Sequence, residues 1–120
     1  MSAQNETGFR TFQATAVAIA KAVRVDLTAA GLVQAGAAAL GSIGVTQEDV
    51  AASGYVTVRL WTSDGDQFVT ASVNNIAKGD KLYPAASGQV TNVAGMLVAL
   101  GVALEASTAV GDIIIMLPLR

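Results

Sequence analysis

Ile113-Ile114-Ile115-Met116-Leu117 is apolar at every position, so a strand built from it has no face to give to water. Such a strand lies either at the centre of a two-layer β structure or under a neighbouring subunit. Gly111-Asp112 leads into it, and a second Gly-Asp pair, Gly79-Asp80, leads into Lys81-Leu82-Tyr83. Glycine supplies a left-handed backbone position and aspartate accepts hydrogen bonds from nearby backbone, so Gly79, Asp80, Gly111 and Asp112 are expected to be structural turns. Pro118 has no N–H to give a ladder and marks the end or edge of this strand.

Further strands follow from period-two alternation. Val23-Arg24-Val25-Asp26-Leu27 alternates apolar and charged, Thr28-Ala29-Ala30-Gly31 turns, and Leu32-Val33-Gln34-Ala35 returns. Ile43-Gly44-Val45 is a short apolar strand. The clearest alternation is Tyr55 to Trp61, with Val56, Val58 and Leu60 on one face. Asp64-Gly65 then predicts a hairpin back into Gln67 to Val73. Trp61, at the strand's end, reads as a lid on the core more than as an interface anchor. Ala14 to Ala22 places Ala on one parity, which favours a strand with a nearly flat face over a rival helix. Thr46 and Asp49 resemble a capping box with Gly54 as its C-terminal stop, so one short helix is expected between them.

At 120 residues the chain has room for one domain. Half its residues are hydrophobic, but many are alanine and only 5% are aromatic, so each buried side chain removes little apolar area. Burial against further copies or a larger partner would thicken so thin a core. The expected organisation is a flexible N-terminal arm over residues 1–12 and a single β-rich domain over 13–120. Phe9, Arg10 and Phe12 carry the arm's bulk. The arm is either a frayed terminus or a segment that orders along a partner's edge strand.

Charge and residue types exclude much chemistry. Seven cations are scattered singly against nine carboxylates, leaving no basic stripe for nucleic acid. Histidine and cysteine are absent, so imidazole bases, thiolates and most zinc sites have no material. Asp64 and Asp66 around Gly65 lack the further oxygen ligands of a calcium loop and read as turn residues. No catalytic residue, metal ligand or cofactor site is expected, and the chain does not read as an enzyme. The polar start has no secretory signal, and Gly and polar residues interrupt both long uncharged windows, so neither export nor a membrane span is expected.

Ala77-Lys78-Gly79-Asp80-Lys81-Leu82-Tyr83, Gly88-Gln89-Val90, Gly101-Val102-Ala103-Leu104-Glu105-Ala106 and Gly111-Asp112 together resemble the small capsid decoration, or cement, proteins of tailed bacteriophages. Gly44-Val45-Thr46-Gln47-Glu48-Asp49 and Gly54-Tyr55-Val56-Thr57-Val58 fit the same pattern, so the resemblance runs from about Val23 onward. It implies an all-β barrel or sandwich that trimerises on the outside of an icosahedral head and bridges major capsid protein subunits. Made in the host cytoplasm, the protein would end on the virion surface. In that setting Phe9, Arg10 and Phe12 are the expected capsid-binding arm, and Ile113, Ile115 and Leu117 the expected subunit interface. Alternatives are another virion β module, associated with tail or fibre, or a small ligand- or glycan-binding β-barrel. A hydrolase with paired aspartates is more remote.

Overall fold

The computed structural model describes residues 9–36, 42–61, 66–93 and 99–119. Within them lie β1 (Phe9–Gln13), β2 (Arg24–Thr28), β3 (Gly31–Gln34), β4 (Gly44–Thr46), β5 (Tyr55–Leu60), β6 (Gln67–Thr70), β7 (Lys81–Pro84), β8 (Val90–Thr91), β9 (Gly101–Ala103) and β10 (Ile113–Pro118). A single 3-10 turn, Ala86–Gly88, stands between β7 and β8. The strands form two antiparallel sheets, ordered β1-β5-β4-β2-β3 and β6-β10-β9-β7-β8. Each sheet rolls toward closure: Ala14, just after β1, bridges Leu32 of β3, and Ala71, just after β6, bridges Val90 of β8. The chain is all-β, as alternation and turn chemistry predict.

The two sheet orders are one topology used twice, with each strand of the first sheet replaced by the strand five later in the chain. Hydrogen bonds repeat with it. Ala22 N–H donates to Thr46 O and Gly79 N–H to Ala103 O; Thr46 N–H donates to Val23 O and Ala103 N–H to Asp80 O. Ile43 to Val25 corresponds to Leu100 to Leu82, and Val50 to Ile19 corresponds to Ser107 to Ile76. A constant offset, the separation of Ile19 from Ile76, superposes Ile19-Ala20-Lys21 on Ile76-Ala77-Lys78, Gly31 on Gly88, Gly44-Val45 on Gly101-Val102, and Glu48 on Glu105. One extra residue before β10 then matches Val56 to Ile114, both buried. The chain is therefore an internal duplication, and residues 9–61 and 66–119 are its halves.

Several local expectations give way to non-local pairing. No helix forms between Thr46 and Gly54: Asp49 Oδ1 accepts from Lys21 N–H at 2.7 Å and Thr46 Oγ1 donates to Ala20 O at 2.8 Å. Both would-be capping groups are thus engaged elsewhere, and Val50 exchanges backbone hydrogen bonds with Ile19. The positive φ that Gly54 was expected to supply falls on Ser53, at 61°. Ala14 to Ala22 is not a strand either. The ladder of β1 ends at Gln13, only Ala14 and Ile19 make bridges, and Ala22 turns the chain with φ 59°. Nor are β5 and β6 a hairpin: β5 pairs with β1 and β4, β6 with β10, because the junction between the halves falls between them. The Asp64-Gly65 turn itself lies outside the described residues.

Each half has its own core. Ile19, Val23, Val25, Leu32, Val56 and Val58 fill the first. Val69, Ile76, Leu82, Val90, Ile114 and Met116 fill the second, and Ala22 and Val45 of the first half pack into it with half-buried Trp61. Trp61 thus lids the second core, its Nε1–H donating to Ser42 Oγ at 3.1 Å.

Candidate interaction surfaces

Arg24 fastens the halves together. It is fully buried, and its guanidinium donates to Ala85 O at 2.7 Å, Gln89 O at 3.1 Å and Gly36 O at 3.3 Å. Burial pushes its pKa down from 12.5 to about 10, which leaves it charged at neutral pH. Beside it Thr70 Oγ1 donates to Ala22 O, and Gly88 N–H to Ala35 O. Gly88 sits so close to β2 that a Cβ would meet Arg24 O at 2.5 Å. The halves therefore form one body, and a shallow cavity of about 340 Å³ at their seam is lined by Lys21, Asp49, Thr70, Gln89 and Ile113 among others.

Side chains alternate across a strand, so each sheet has an inner and an outer face. In the second half β10 lies between β6 and β9, turning Ile114 and Met116 inward and Ile113, Ile115 and Leu117 outward. Phe68, opposite Ile115, and Val102, opposite Leu117, extend the outer face. The expected all-apolar strand is thus central in its sheet, yet Ile113 and Leu117 remain 43% exposed and Phe68 54%. In the first half the corresponding outer positions hold Thr11, Tyr55, Thr57 and Arg59, with Arg59 over the Phe9 ring at 5.6 Å.

The residues assigned to an arm lie in β1. Phe9 is on the outer face with Arg59, whereas Phe12 points inward against the first core with Arg10 over its ring at 5.9 Å. Residues 1–8 lie outside the described region. At the turns, Gly79 has φ 93° and Gly111 φ 92°. Asp80 Oδ2 accepts from Ala77 N–H and Asn92 Nδ2–H, and Asp112 Oδ2 from the N–H groups of Thr108 and Ala109 and from Thr108 Oγ1–H. These bonds hold both carboxyls below the ordinary aspartate pKa, Asp80 chiefly through Ala77 and Asp112 chiefly through Thr108. The geometry is that of turn stabilisation.

Among the described residues no cluster of three or more His, Cys, Asp or Glu side chains is placed to hold a metal ion. No helix there is long and apolar enough to cross a membrane. Sequence reading missed the duplication, whose audible signal was the repeated Ile-Ala-Lys and Gly-Val. It also missed Arg24, which alternation placed on the solvent face of its strand.

No protein-family model matches the chain, and no curated protein sequence matches it. A solved structure does: the N base of the head fiber gp8.5 of bacteriophage phi29, at TM-score 0.76 and 16% identity, covering 93% of this chain and 95% of that one. The duplicated two-sheet body is thus a fold this chain shares, nearly end to end, with the base of a phage head fiber.

Proposed function

We propose that this chain is a structural protein of a tailed-phage virion that seats on the outside of the head. There it forms a homotrimer and bridges major capsid protein subunits against internal DNA pressure. The observation that carries the reading is the end-to-end fold likeness to a head-fiber base. The outward apolar face on β10 adds support, because a lone soluble domain gains nothing from Ile113, Leu117 and Phe68 in water. In this reading the chain performs no catalysis, takes no cofactor, and binds neither nucleic acid nor membrane. Its shell contact lies along β1 and β5, where Phe9, Arg10 and exposed Tyr55 supply the aromatic and arginine side chains that dominate protein interfaces.

The same likeness favours a second reading within the virion class, in which the chain is the foot of a projecting head fiber. One experiment addresses both. Purified protein is mixed with expanded empty heads of the phage from which the chain comes, sedimented, and imaged by cryo-electron microscopy. Saturable binding with added density on the outer surface is the expected result. Failure to co-sediment with heads would overturn the proposal.

A further inference from the structure

The duplication supplies an internal control that a single domain lacks. At matching outer positions of one topology, the first half carries Thr11, Tyr55, Thr57 and Arg59, and the second carries Phe68, Ile113, Ile115 and Leu117. The first half folds with these positions polar, so the fold itself does not demand apolar residues there. Leu119, 49% exposed, prolongs the stripe, and Val102 and Leu104 border it on the β9 side.

We propose that this outer face of β6, β10 and β9 is where another copy of the same chain seats. Two observations select a second copy over a separately assembled shell protein. The stripe is apolar along its whole length, through Ile113, Ile115, Leu117 and Leu119 and across Phe68 and Val102, which is the composition of interfaces between identical subunits; interfaces between separately folded partners, taken whole, are no more apolar than the rest of the surface. The rim carries both signs, with Lys81 next to Val102 and Glu105 bound through Oε1 to the Ile115 N–H. Such a rim lets two copies pair opposite charges around an apolar middle. Self-association then uses the second half and leaves the aromatic and arginine face of the first half free for the shell.

The proposal deepens the virion reading by naming the partner of the β10 face, but its test requires no capsid. The full chain, Ile115→Glu and Leu117→Glu are compared by sedimentation equilibrium and light scattering, with Thr57→Glu as the matched substitution in the first half. Far-UV circular dichroism checks that each is folded, and Leu117→Ser replaces any charged variant that is not. The unaltered chain is expected to be oligomeric, with the β10 variants weakened by about 100-fold or more and Thr57→Glu unchanged. A monomeric unaltered chain at every concentration would overturn the proposal, as would equal weakening by Thr57→Glu. Either result leaves head binding to be decided by its own assay.

Discussion

Replacing Arg24 tests whether a buried cation without a carboxylate partner among the described residues holds the halves together. In Arg24→Met the chain keeps an aliphatic stem of similar reach but loses every donor and the charge. Three carbonyls lose a bond, but their fates differ. Gln89 O still accepts from Ala85 N–H, and Gly36 is exposed and turns to water, whereas Ala85 O loses the shortest bond, at 2.7 Å, in a half-buried site. Charge-assisted bonds contribute about 1.5–3 kcal/mol each; with Gln89 O and Gly36 O at the low end and Ala85 O anywhere in that range, the gross loss is about 4.5–6 kcal/mol. Against it stands release of the buried charge: the fall in pKa from 12.5 to about 10 corresponds to about 3 kcal/mol. The bonds win by a narrow margin, and Arg24→Met is expected to destabilise by about 1–3 kcal/mol. Arg24→Ala also empties the stem's space and is expected to cost about 3–5 kcal/mol. Urea unfolding followed by Trp61 fluorescence and circular dichroism measures both. A methionine variant as stable as the unaltered chain, or more so, would refute the reasoning and make Arg24 a net burden on the fold.

Glycines at close approaches separate two costs. Gly44→Ala would drive a Cβ into the Arg59 backbone and Gly101→Ala into Leu117 O, so both should lose several kcal/mol, about 3 or more, whereas Gly79→Ala, with open space and only its φ of 93° against it, should lose about 1–2 kcal/mol in thermal unfolding. Phe12→Ala should destabilise by about 2–3 kcal/mol through the first core, and Phe9→Ala by less than about 1 kcal/mol; equal, negligible effects in the same assay would mean β1 is not docked. Asp80 and Asp112 have depressed folded pKa values, so their contribution to stability is fully present above the unfolded value of 3.8 and is lost as pH falls through the folded ones. The double variant Asp80→Asn, Asp112→Asn should therefore be less stable at neutral pH and lose less stability on acidification, read as denaturation midpoints at about pH 6 and about pH 3.

Much of the strand content was legible because its cause is local. Alternation in Tyr55–Leu60 marks Val56 and Val58 as inward whatever the partner strand is, and Gly79 and Gly111 announce a left-handed backbone that the structure contains, whereas in Arg24–Thr28 it gives the strand but not the faces, since Arg24 is buried and Leu27 exposed. The interaction surface was half legible. An all-apolar β10 shows that its outer face is apolar, but only the first half's Thr57 and Arg59 at matching places show that the fold does not require this.

By itself the sequence determined an all-β chain, the positions of most strands and the lack of histidine or cysteine chemistry, because side-chain periodicity and residue type act over a few neighbours. Tertiary structure alone decided which strands pair, that Thr46 to Gly54 runs as bends, a bridge at Val50 and a turn instead of a helix, and that Arg24 is buried between two halves. A cap at Thr46 and Asp49 stabilises a helix by about 1 kcal/mol. Buried Ile19 and Val50 satisfy each other's backbone groups while Asp49 takes the exposed Lys21 N–H, and that choice depends on residues far apart in the chain.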